Sequence, residues 1–295
     1  MADENKYVVP IDDVVLRDHI GHSLQAEYIY NYLKDIELDA KTAIIERNYI
    51  DKDFFIDYAG FYARSFEKID RCTHRIHFFS GQFDQKKFEE ILADFDTEKI
   101  KYLANYLGFA VIKQFKDENN NPAPHVGRTL LAPYPAMAKN SSSSRKYIYS
   151  LYEPNLYGID LSIYSLPFQA QDHAVSACAT TSLWIANNQL STLFQTPVLS
   201  PIDVTNRATS LIEYDRNLPN KGLTIKQMLA FLKSVELDFE YICLDDLRDN
   251  SNEIRNLVPD TVNAFVNAKI PIIAGLSLVK FAEEDIEPLK GERGI

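Results

Sequence analysis

The sequence predicts an α+β protein in two parts, and three observations predict it. Apolar runs rich in β-branched and aromatic residues at 42–47, 75–79, 108–112 and 126–131 read as strands among helical stretches. Helix starts dominate the region after Cys178: a Ser-Pro pair at 200–201 and a capping Thr224. Strand candidates at 147–151 and 161–166 lead straight into the segment around Cys178, which puts a domain boundary near residue 160. A chain of 295 residues with 46% hydrophobic content is long and apolar enough for two domains, 1–160 and 161–295.

In chain order, residues 14–38 carry Ile20, Leu24, Tyr28 and Tyr32 at helical spacing and read as one helix, followed by a strand at 42–47. The type of 53–66 stays open, because aromatic and polar residues alternate there without one period. A strand at 75–79 precedes a helix at 84–92 that Asp84 can cap, and a short helix is expected at 97–106. The strands 108–112 and 126–131 flank a polar turn at 116–122, which makes them a hairpin. The Ser-rich run 139–146 is too polar to bury and reads as a mobile loop. Beyond the Cys178 helix come helices opened by Ser200-Pro201 and Thr224, a strand through Phe239, Tyr241 and Cys243, a helix at 262–268 and a buried strand at 271–278.

Composition narrows the function. The formal charge of −11 and the pI near 5.1 argue against a general affinity for nucleic acid. No signal-peptide pattern opens the chain and no run is apolar enough to span a bilayer, so a cytoplasmic location without membrane contact is expected. Cys72, Cys178 and Cys243 are an odd number at wide spacing, so free thiols rather than a disulfide framework are expected. His19 and His22 share a helix face without a third ligand, and in a strand His77 points opposite to Cys72 and His74. No metal or other cofactor is therefore assigned. His125 and Arg128 border the hairpin loop and are secondary binding candidates.

The chemistry centres on Gln171-Asp172-His173-Ala174-Val175-Ser176-Ala177-Cys178-Ala179-Thr180. Leu183, Ala186 and Leu190 recur at helical spacing after Cys178, so the thiol sits in a first turn, where unpaired N–H groups and the helix dipole favour a thiolate. Small neighbours admit a substrate backbone, and the Gln171 amide can donate to a developing oxyanion. The parts fit acyl transfer.

These residues resemble the papain-like cysteine peptidases, most closely the bacterial branch similar to the bacteriocin-leader-processing peptidases. The likeness covers about residues 165–295, with Gln171 ahead of Cys178, a Gly-Leu-Thr-Ile-Lys-Gln-Met segment at 222–228 and the apolar run at 271–278. The resemblance implies a cysteine peptidase or related amide-cleaving enzyme, with Cys178 as nucleophile, Gln171 as oxyanion donor and a peptide or protein substrate. Residues 1–160 then form a sensing or recruiting domain for a protein partner. It also implies a His base on the strand after 271–278, whereas all six histidines here precede Cys178. The expected state is a papain-like domain cut before its His strand and inactive alone. The alternative is a catalytically silent protein-binding module.

Overall fold

The computed structural model describes residues 7–65, 69–93, 103, 105–137, 144–171, 178–210, 222–243 and 251–275. It is an α+β protein with a five-stranded antiparallel sheet. Strands β1 (Val8–Pro10), β2 (Thr42–Tyr49), β3 (Thr73–Phe79), β4 (Tyr106–Lys113) and β5 (His125–Leu131) pair in sequence order. The hairpin expected at 108–131 is β4–β5, and its register slips between Ala110 and Ile112.

Both faces of the sheet are covered, so β4 is buried at every position and shows no two-residue alternation of burial. One face receives α1 (Asp13–Ile20) and α2 (Leu24–Lys34), whose Ile20, Ala26, Ile29 and Leu33 pack on Ile45, Ile76, Phe78, Ala110 and Ile112. The other face receives α4 (Gln85–Ala93) through Phe88 and Ile91. The small ladders β6 (Ser150–Tyr152) with β9 (Ile163–Ser165), and β7 (Asn155–Leu156) with β8 (Ile159–Asp160), adjoin it there. Asp84 caps α4 as expected, accepting from Lys87 N at 2.9 Å. The open stretch 53–66 resolves into α3 (Lys52–Gly60), capped by Asp51, and a 3₁₀ turn at Tyr62–Arg64.

The remaining helices are α5 (Cys178–Phe194), α6 (Pro201–Ala208), α7 (Ile225–Ser234) and α8 (Ser251–Asn267). Ser200 and Thr224 each form a capping box, with Asp203 and Gln227, as their sequence positions lead one to expect. Leu183, Trp184, Leu199, Val204, Ala208, Phe231 and Val235 make a separate core for α5, α6 and α7. Polar contacts join this group to the sheet half. Ser150 donates to Gln189 at 2.8 Å, and Ile202 N donates to the Asp57 carboxylate at 3.0 Å.

Several expectations are corrected. The single helix at 14–38 is two, broken at Gly21 (φ +95°) and restarted by the Ser23 cap. Its stripe does not all face inward, because Leu24 is 81% and Tyr28 59% exposed while Ala26, Ile29 and Leu33 take the core positions. The strand expected at 147–151 is limited to Ser150–Tyr152. Residues 239–243 and 271–275 belong to no strand, and Tyr241, Ile272 and Ile273 are exposed. Their apolar composition suited a strand, but among the described residues neither run has a pairing partner, and a lone strand satisfies neither its backbone nor its side chains. Residues 276–278 lie outside the described residues. So does most of the helix expected at 97–106, whose last residue, Tyr106, opens β4, and most of the run at 139–146.

Candidate functional site

Two elements bring Cys178 and Gln171 together. Residues 168–170 form an extended strap along β5. Thr129 N donates to Phe168 O at 2.8 Å, Phe168 N returns the bond to Thr129 O at 3.0 Å, and Ala170 N donates to Val126 O at 3.0 Å. Phe168 and Ala170 also pack on the core beneath α2, so the strap is held by backbone and side chains and delivers Gln171 at its end. On the other side, Cys178 is the first residue of α5, a helix anchored by fully buried Trp184 and by the Thr180–Thr205 hydroxyl contact of 3.1 Å to α6.

The two side chains meet. Cys178 Sγ donates to Gln171 Oε1 at 2.9 Å, and the thiol is exposed. Rotation of the terminal amide exchanges Oε1 for Nε2, so the same contact that accepts from a thiol donates to a thiolate or to an oxyanion formed beside it. The arrangement can hold a nucleophile and its charge-stabilising donor within one hydrogen-bond length.

The chain matches no protein-family model, no curated protein and no solved structure. The site therefore rests on its own geometry. No helix among the described residues is long and apolar enough to cross a membrane, and no group of three potential metal ligands occurs among them.

The histidines distribute as follows. His77 is fully buried, with Nδ1 2.8 Å from Tyr106 Oη and Nε2 2.9 Å from Glu46. Arg75 Nε donates to the same carboxylate oxygen. Desolvation pushes His77 down to about 4. His19 and His74 are both lowered, chiefly by burial, with His19 and Arg47 adding positive charge beside His74. His74 and His77 lie on opposite sides of β3, the first half-buried and the second enclosed, as the strand reading of the Cys72–His74–His77 group requires. His125 stacks on Phe115 at the start of β5, next to the Val126 that pairs with Ala170. His173 lies outside the described residues.

Sequence reasoning missed two features. Arg128 donates to Asp51 at 2.6 Å beneath α3, and Asp53 beside that pair is raised to about 6, chiefly by desolvation. The sequence reading left 53–66 open and gave Asp51 and Asp53 no role. The second feature is a groove between α2 and the strap, lined by Leu24, Tyr28, Val126, Phe168 and Ala170 together with Gln25 and Gln169.

Proposed function

We propose that this chain supplies the nucleophile of a papain-like cysteine peptidase or related amide-cleaving acyl transferase. The observation that supports it is the Cys178–Gln171 contact of 2.9 Å at the start of a 17-residue helix. In the proposed reaction Cys178 gives up its thiol proton to water, the thiolate Sγ attacks a carbonyl carbon, and the oxyanion that forms accepts from Gln171 Nε2. Collapse of that intermediate breaks the carbon–leaving-group bond and leaves an acyl thioester on Cys178. With an amide substrate the leaving amine also needs a proton from a general acid, the imidazole role in such sites. His77 is committed to Glu46 and Tyr106, so it is not that group.

An activated ester separates the two requirements, because p-nitrophenolate departs without a proton. The purified chain should form one acyl adduct, mapped by mass to Cys178, together with a burst of nitrophenolate. Gln171→Ala should slow acylation by about 100-fold with the fold intact, the size of effect seen when an oxyanion donor is removed. Acylation of Cys72 or Cys243 at the rate of Cys178 refutes the nucleophile. An unchanged rate in Gln171→Ala refutes the donor.

A second reading, a catalytically silent papain-like module that binds a protein partner, draws on the commitment of the buried His77 to structure. It predicts no burst at any cysteine.

A further inference from the structure

Cys178 and Gln171 stand on different supports, and their contact closes a circuit of contacts that begins and ends on β5. On one side β5 holds the strap and with it Gln171. On the other side Arg128, also on β5, donates to Asp51, the cap of α3, at 2.6 Å. From α3 the circuit passes to α6, where the Asp57 carboxylate, 1% exposed, accepts from Ile202 N at 3.0 Å. Ile202 is the second residue of α6, and its side chain packs on Phe54 and Tyr62. It lies so close to α3 that a Cβ at Gly60 would stand 2.6 Å from Ile202 Cδ1. From α6 the circuit reaches α5, because the Thr205 hydroxyl meets that of Thr180 at 3.1 Å and Val204 and Ala208 share a core with Leu183 and Trp184.

Distance along α5 decides which joint controls the sulfur. The Ser150–Gln189 bond holds α5 about 16 Å along its axis from Cys178, whereas Thr180 lies only about 3 Å along it. The start of α5 therefore follows α6, and α6 follows Asp57. Ile202 N belongs to the first turn of α6 and has no acceptor inside its own helix. Without the carboxylate this donor regains a partner only by moving toward water, and Thr205 and the start of α5 move with it. We propose that Asp57 is a positioning residue of the Cys178 centre, which caps α6 against α3 and so holds Cys178 Sγ within reach of Gln171. The proposal rests on the nucleophile reading above. Asp57 is enclosed, so it acts through α6 and not on a substrate.

The test uses the whole chain with two reagents: p-nitrophenyl acetate, whose attack by the thiolate forms an oxyanion, and iodoacetamide, whose alkylation forms none. Dividing the acylation rate of Cys178 by its alkylation rate in the same protein removes changes in thiol exposure and ionisation and leaves the contribution of the donor. Asp57→Ala should lower this ratio about 10-fold or more, since a misplacement of about 1 Å at a reacting centre costs up to about 100-fold. Asp57→Asn keeps an acceptor for Ile202 N and should restore the ratio. In a Gln171→Ala background Asp57→Ala should lower it no further, because the donor that depends on the alignment is gone. Gly60→Leu wedges the same joint apart through Ile202 with Asp57 intact, and should act like Asp57→Ala. Near-UV dichroism establishes that each variant is folded. An unchanged ratio in Asp57→Ala, or in Gly60→Leu where Asp57→Ala does not fold, overturns the positioning role alone. So does a ratio in Asp57→Asn as low as in Asp57→Ala, or an equal loss from Asp57→Ala with and without Gln171. A wild-type chain that acylates Cys178 no faster than Cys72 and Cys243 overturns the nucleophile and the positioning role with it.

Discussion

His77 provides a pH-dependent component of stability whose size follows from its surroundings. The ring is 0% exposed, bonded to Tyr106 and Glu46, and its folded value is pushed down to about 4 by desolvation, against about 6.5 in an unfolded chain. A histidine with a depressed folded value favours the folded state above its unfolded value, and that contribution falls away as pH drops from about 6.5 toward 4, because the unfolded chain takes up the proton first. Between pH 7 and pH 5 the linkage amounts to about 2 kcal/mol. His77→Gln keeps one donor for Glu46 and one acceptor for Tyr106 but cannot titrate. Urea unfolding of both proteins at pH 7 and pH 5, with far- and near-UV dichroism followed together to establish a single transition, gives the difference of differences. That quantity removes the cost of the substitution itself and the contributions of carboxylates present in both proteins. The wild type should lose about 2 kcal/mol more than the variant on going to pH 5. Parallel losses would mean that His77 takes up its proton in the folded state as readily as in the unfolded chain, and the reasoning from desolvation would be wrong.

Two further predictions concern stability. Asp53, raised to about 6 mainly by desolvation, has the opposite sign: its folded value lies above its unfolded one, so its ionisation costs stability as pH rises from about 4 through 6. Asp53→Asn should therefore raise stability at pH 7.5 by about 3 kcal/mol, with the gain gone below pH 4 in urea titrations across that range. Gly108 on β4 has φ +112°, and a Cβ there would stand 1.9 Å from Leu130 O. Gly108→Ala should cost on the order of 3 kcal/mol or more, read as a lowered thermal midpoint; a midpoint within 2 °C of wild type would show that β5 can yield opposite Gly108.

What the sequence determined by itself was mainly what nearest neighbours decide. The β4–β5 hairpin, the caps at Asp84, Ser200 and Thr224, and the start of α5 at Cys178 all follow from groups within a few residues of one another. Long-range partners decided the rest. The runs at 239–243 and 271–275 have the composition of strands, but a strand exists only where another backbone pairs with it, and among the described residues none does. The stripe through Leu24 and Tyr28 has the period of a buried face, yet burial went to Ala26, Ile29 and Leu33, because the rotation of α2 on the sheet is set by the whole core and not by the helix. Cys178 and Gln171 were legible as residue types suited to acyl transfer. Their meeting depended on β5, some forty residues upstream, which fixes the strap by three backbone hydrogen bonds and so sets where Gln171 stands relative to the first turn of α5.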